Sequence, residues 1–144
     1  MNGDESKRRS GIVAGLAGLL ICQVASAAVS VYITPNGGFS IIPGVAVVDQ
    51  SVATVVVNAD ENYQVTLRDN NNGVLSNGGT SLPYTVKYNN GSELTLSTST
   101  TTVETGTSVT DGSRSLSLFI GAAASVGLPA GTYSATITVE ILAN

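Results

Sequence analysis

The segment that most limits what this chain can fold into runs from Gly131 to Leu142, where apolar and polar residues alternate without a break. Tyr133, Ala135, Ile137, Val139 and Ile141 fall on one side, and Thr132, Ser134, Thr136, Thr138 and Glu140 on the other. A period of two is that of a half-buried β-strand. A long, regular strand with a free edge is a template for another strand, so this segment points to assembly rather than to catalysis.

The opposite end reads as an export signal. Lys7-Arg8-Arg9 is a basic start, Gly11 to Val24 is an apolar run, and Ala25-Ser26-Ala27 is a small-x-small cleavage site. Residues 1–27 are therefore expected to be a secretory leader that is removed, since the apolar run is short of the roughly 20 residues a membrane span needs. A retained membrane anchor is the alternative. Cys22 follows Ile21, which suits a lipoprotein cleavage site poorly because a small residue is wanted before the Cys.

Removing 27 of the 144 residues leaves 117, enough for one domain with its own core. Cys22 is the only cysteine, so the expected mature chain has no disulfide to supplement packing and strand pairing. The full chain carries a net charge of −4 and residues 1–27 carry +1, which puts the mature part at −5 with Arg68, Lys87 and Arg114 as its cations. Nucleic acid is not an expected partner for such a chain.

Between the two ends the residues are those of strands and turns. Val29, Val31 and Ile33 alternate with Ser30, Tyr32 and Thr34, and Pro35-Asn36-Gly37-Gly38 turns the chain. Short apolar runs at 39–42 and 45–48 flank Pro43-Gly44. Ser51 to Asn58 reads as a strand with Val52, Thr54 and Val56 on one face, and Tyr63 to Arg68 as the next, with Tyr63, Val65 and Leu67 inward. Asp69 to Ser81 reads as a solvated polar loop. Tyr84, Val86 and Tyr88 resume the alternation, Asn89-Asn90-Gly91 suggests a hairpin into 93–96, residues 97–111 have little to bury, and Ser115 to Ile120 is a strong strand. Seven to nine short strands at regular intervals predict an all-β, antiparallel, immunoglobulin-like sandwich.

The chain has no histidine, which removes Ser-His-Asp and Cys-His nucleophiles and histidine metal sites. Asp49, Asp60, Glu61, Glu104 and Asp111 are the carboxylates open to acid–base work on a sugar, but all fall in expected turns or polar loops where water keeps them ordinary. No enzyme activity, catalytic residue, cofactor or resident metal is expected. Asp69-Asn-Asn71-Asn-Gly73 has the opening pattern of a calcium loop without the acidic residue that closes it, and a simple turn explains the same letters. Asn90-Gly91-Ser92 is a glycosylation sequon in a host that uses one. The five tyrosines lie on alternating strands, so packing is preferred to a sugar-binding row.

The runs from Ala53 to Leu67, Leu82 to Tyr88, Ser115 to Gly121 and Leu128 to Val139, in that order, resemble the spore coat protein U family, which includes secreted pilins of archaic chaperone–usher systems. Pro129-Ala-Gly-Thr-Tyr133-Ser-Ala-Thr-Ile-Thr-Val139 carries the sharpest part of the likeness. The resemblance implies an incomplete immunoglobulin-like domain whose missing strand comes from the N-terminal extension of the next subunit. On this sequence the donor is expected in 28–42, with Val29, Val31 and Ile33 as plugs, and the pilin domain in 43–144. The acceptor groove is expected along Tyr133, Ala135, Ile137, Val139 and Ile141. Implied partners are identical subunits forming a homopolymer, with a periplasmic chaperone and an outer-membrane usher. Filaments of this kind also form without that dedicated machinery, and that class stays open. The expected function is a subunit of a cell-surface filament serving adhesion or biofilm formation, passing through the periplasm and keeping no membrane insertion after cleavage. The rival expectation is a secreted monomeric sandwich that binds a carbohydrate or other ligand.

Overall fold

The computed structural model describes residues 9–14, 19–25 and 29–144. Lys7, Arg8, Ser26, Ala27 and Ala28, named above, lie outside them. Among the described residues nearly all regular structure is extended, as the wealth of Val, Thr and Ile demands. In chain order the strands are β1 (Arg9–Ala14), β2 (Leu19–Ala25), β3 (Val29–Pro35), β4 (Val47–Ala59), β5 (Tyr63–Asp69), β6 (Val74–Asn77), β7 (Thr80–Pro83), β8 (Thr85–Tyr88), β9 (Thr101–Gly106), β10 (Val109–Ile120) and β11 (Ala135–Ala143). One short 3-10 turn, Ala123–Ser125, interrupts the connection into β11. No helix among the described residues is long and apolar enough to cross a membrane.

Two sheets face each other across one core, an all-β sandwich. One sheet has the order β3-β4-β10-β8 and the other β1-β2-β11-β5-β9, with β6 and β7 forming a separate hairpin. All neighbours run antiparallel except β2 and β11, which are parallel. The core is filled from both sheets, by Val31, Val55, Val57, Leu116 and Leu118 on one side and Val65, Leu67, Ile137, Val139 and Ile141 on the other. Each such side chain, moved from water to a packed interior, contributes on the order of 1.5–3 kcal/mol before the cost of ordering the chain.

Three segments differ from their sequence reading for local reasons. On β4 the inward residues are Ala53, Val55, Val57 and Ala59, the opposite set from Val52, Thr54 and Val56. Val52 joins them because the register with β10 slips between Leu116↔Ala53 and Ser117↔Ser51, a bulge that puts two consecutive residues inside. The stretch 69–81 is no solvated loop: Leu75 and Leu82 are buried cross-strand partners in the β6–β7 hairpin. Two apolar residues among so many Asn, Gly and Ser give no visible period. Residues 101–106, which have little to bury, form β9 because β5 offers an unpaired edge to their backbone.

Glu104 departs from the picture of solvated acids. Arg114 on β10 holds it with a two-pronged contact, Nε donating to Oε2 at 2.8 Å and Nη2 to Oε1 at 2.7 Å, and the Tyr63 hydroxyl donates to Oε1 at 2.7 Å. The pair therefore joins the two sheets on the flank where β9 and β8 are the outer strands. Gly106 stands opposite Tyr63 on β9, and a Cβ there would lie 2.6 Å from the phenol ring, so glycine lets the ring cross the strand to reach Glu104. Burial works against ionisation of Glu104, but the Arg114, Tyr63 and Tyr88 groups outweigh it and hold the carboxyl below the usual carboxylate range. A carboxyl depressed on folding stabilises the protein above its unfolded pKa, and that stability disappears as pH falls through the folded value. Glu104→Gln is expected to cost about 2 kcal/mol at pH 7. It should also flatten the loss of stability below pH ~4. Urea unfolding at several pH values checks both.

Candidate functional site

The outer edge of β11 is where the sandwich depends on a segment from the far end of the chain. Alternation puts Ile137, Val139 and Ile141 fully in the core, and Tyr133 and Ala135 nearly so. Tyr133 precedes the strand and is fixed by its hydroxyl donating to the Pro129 carbonyl at 2.9 Å. Ser134 exchanges two backbone hydrogen bonds with Ser76, which anchors the entry to β11 on the β6–β7 hairpin. On its inner edge β11 pairs with β5 from Ile137↔Asp69 to Ala143↔Tyr63. On its outer edge it pairs with β2, from Ala135↔Leu19 to Glu140↔Val24. All of β2 lies upstream of the expected cleavage site.

Val29, Val31 and Ile33 are placed elsewhere than beside β11. They sit on β3, which pairs with β4 of its own chain from Val29↔Ala59 to Pro35↔Ala53, and all three are buried in its own core. The expectation that this segment lacks a partner within its chain does not describe this structure: β4 offered seven consecutive residues of matching alternation. Donor and acceptor residues thus share one core, on opposite sheets, β3 as the edge strand of one and β11 between β2 and β5 in the other, with β3 close to β11 and β2 across the seam. Nothing in the residue pattern marks β2 as the neighbour of β11, because an almost uniformly apolar run has no period to read.

Residues 36–46, between β3 and β4, form no strand, and Phe39 and Ile41 pack partly on the core. Together with Pro43, Leu128, Pro129 and Tyr133 they line a cleft of about 490 Å³ at the entry to β11. Among the described residues no charged one lines it. Ile42, Val45 and Val48 are exposed nearby in the chain, as is Val126 after the 3-10 turn, and the Gly44 N–H donates to Ser125 Oγ at 3.0 Å, which ties this loop to that turn.

The remaining candidate groups are absorbed by the framework. Asp69 is fully buried, its Oδ1 accepts the Asn71 N–H at 3.0 Å and its Oδ2 the Gly73 N–H at 2.6 Å. The carboxylate thus organises the turn that the calcium-like letters spell, and Gly73 takes the positive φ of 74° that the turn requires. No three acidic or cysteine side chains among the described residues stand close enough to share a metal ion. Burial, with Asp69 nearby, pushes the Tyr84 hydroxyl well above its usual range, and burial beside Glu104 does the same to Tyr88; neither hydroxyl completes a hydrogen bond. Tyr63, Tyr84, Tyr88 and Tyr133 are buried while Tyr32 is exposed, so the tyrosines form no binding row.

No family model, curated protein or solved structure matches this chain. Asp69→Ala removes the acceptor of two N–H groups and is expected to cost about 1–3 kcal/mol. Because that carboxylate is already occupied, calcium or a chelator should leave the melting temperature of the unaltered protein where it is, a comparison that thermal unfolding makes directly.

Proposed function

We propose that this protein is a secreted subunit of a cell-surface filament that assembles by strand donation, in the service of adhesion or biofilm formation. The observation that carries the reading is the outer edge of β11, whose only neighbour among the described residues belongs to the segment expected to be removed on export. Cleavage after Ala27 leaves a core-facing strand with six backbone positions lacking their partner strand. Such an edge takes up an extended segment, with main-chain hydrogen bonds supplying affinity and alternate side chains supplying register.

The strand order supports the finer reading of an immunoglobulin-like domain that stops one strand short. In that scheme β3, β4, β10 and β8 take the places of strands A, B, E and D, and β5 and β11 those of C and F. The place of the last strand, G, is the one beside β11. The donor is β3 of a neighbouring copy, with Val29, Val31 and Ile33 as the buried residues. Because β3 is already seated on β4, donation is an exchange: the strand leaves one core for an equivalent apolar site in the next, and residues 36–46 serve as the hinge. Burial lost at home is recovered in the neighbour, and the β4 edge that β3 vacates is opened as the β11 edge is covered. Head-to-tail donation does not close on itself and yields an open filament. A chaperone and usher are partners suited to holding the edge until a donor arrives.

Electron microscopy of the secreted protein is expected to show thin filaments of one-domain beads. A mature chain lacking residues 28–36 should lose polymerisation and still bind a peptide of that sequence. A mature protein that remains a monomer, alone and in the presence of its secretion machinery, defeats the proposal and leaves the monomeric ligand-binding sandwich.

A further inference from the structure

We infer that the leader of the unprocessed chain is a built-in occupant of the β11 edge and that its removal is the event that permits assembly. The inference rests on the strand-donation reading above and adds its control. β2 lies along β11 for six consecutive residue pairs, and β1 folds back on β2 for six more, from Arg9↔Ala25 to Ala14↔Leu20. The leader thus fills the edge with a hairpin rather than a single strand, and the strand now outermost begins at Arg9, after Lys7 and Arg8 in the sequence. Positive charge at the start of an edge strand discourages further pairing. The precursor therefore presents a blunted edge where the mature chain presents an open one.

The position of the cut makes the change a switch. β2 ends at Ala25 and β3 begins at Val29, so hydrolysis of the peptide bond after Ala27 falls in the short link between the leader hairpin and the sandwich. While the link is intact, β2 competes for the edge as a tethered segment with an effective concentration in the millimolar range. Once water has been added across that bond, β2 is a separate peptide held by one parallel ladder, and parallel pairing is slightly weaker per residue than antiparallel. A donor strand from another copy then competes on equal or better terms.

The test uses the full 144-residue chain, produced without export so that the leader stays attached, with a site for a specific protease placed at residues 26–28. The uncut chain is expected to remain monomeric by size-exclusion chromatography with light scattering. Addition of the protease should start filament growth, at least about 100-fold faster than in the uncut sample. A synthetic peptide of residues 19–25 in excess should slow that growth. Gln23→Pro, which takes a backbone donor out of the leader strand, should let the uncut chain polymerise. Equal polymerisation rates before and after cutting overturn the inference while leaving strand donation standing. Failure of the cut chain both to polymerise and to bind either the 19–25 or the 28–36 peptide overturns strand donation itself, and the inference with it.

Discussion

A strand in the interior of a sheet has its backbone hydrogen bonds met on both edges, and β11 meets only one of them from residues 29–144. Its inner edge belongs to β5. Its outer edge takes whatever extended segment is at hand, and here that is β2. The alternation of Ile137, Val139 and Ile141 fixes which face is buried, so a newcomer on the outer edge has little freedom of register: a shift of one residue would turn its apolar side chains to solvent. The demand is local, but it sets what the molecule can do with its N-terminal segments.

The opposite flank is built to stay shut. Glu104 and Arg114 lock β9 to β10 across the two sheets, with Tyr63 reaching the same carboxylate over the gap that Gly106 leaves. Asp69 fixes the turn after β5 with two backbone donors and so sets the β6–β7 hairpin on which Ser134 is anchored. Cys22 is the only cysteine, so residues 29–144 rely on such polar anchors and on packing. The consequence is a sandwich clamped along one side, with β3 as an edge strand and β11 flanked by β2 along the other.

Much of the sandwich could be read from the sequence, and the parts that could not share a cause. Alternation located the inward faces of β5, β8 and β11 correctly because every second residue there is Tyr, Val, Leu or Ile. It left open which face of β4 is inward, where a bulge resets the period, and it passed over Leu75 in the stretch from Asp69 to Ser81. Asp69 and Glu104 looked like surface acids because their partners, backbone N–H groups and Arg114 on another strand, are not neighbours in any sequence pattern. The residues of the candidate site were legible as strands, yet their pairing was not. Val29, Val31 and Ile33 satisfy β4 as well as they would any other edge, and periodicity does not distinguish among takers.

The placing of β3 and β11 on different sheets also has a geometric consequence. The two are unlike objects: one is an edge strand followed in the chain by a strandless stretch, the other a strand inserted between neighbours on both sides. Joining the first of one copy to the second of another is therefore never a self-matching contact, and no twofold axis relates the two strands of one joint. Any row of copies built this way has a direction. One terminus shows a vacant β11 edge and the other an unspent β3, so the two ends differ in what they can bind and in how they can grow.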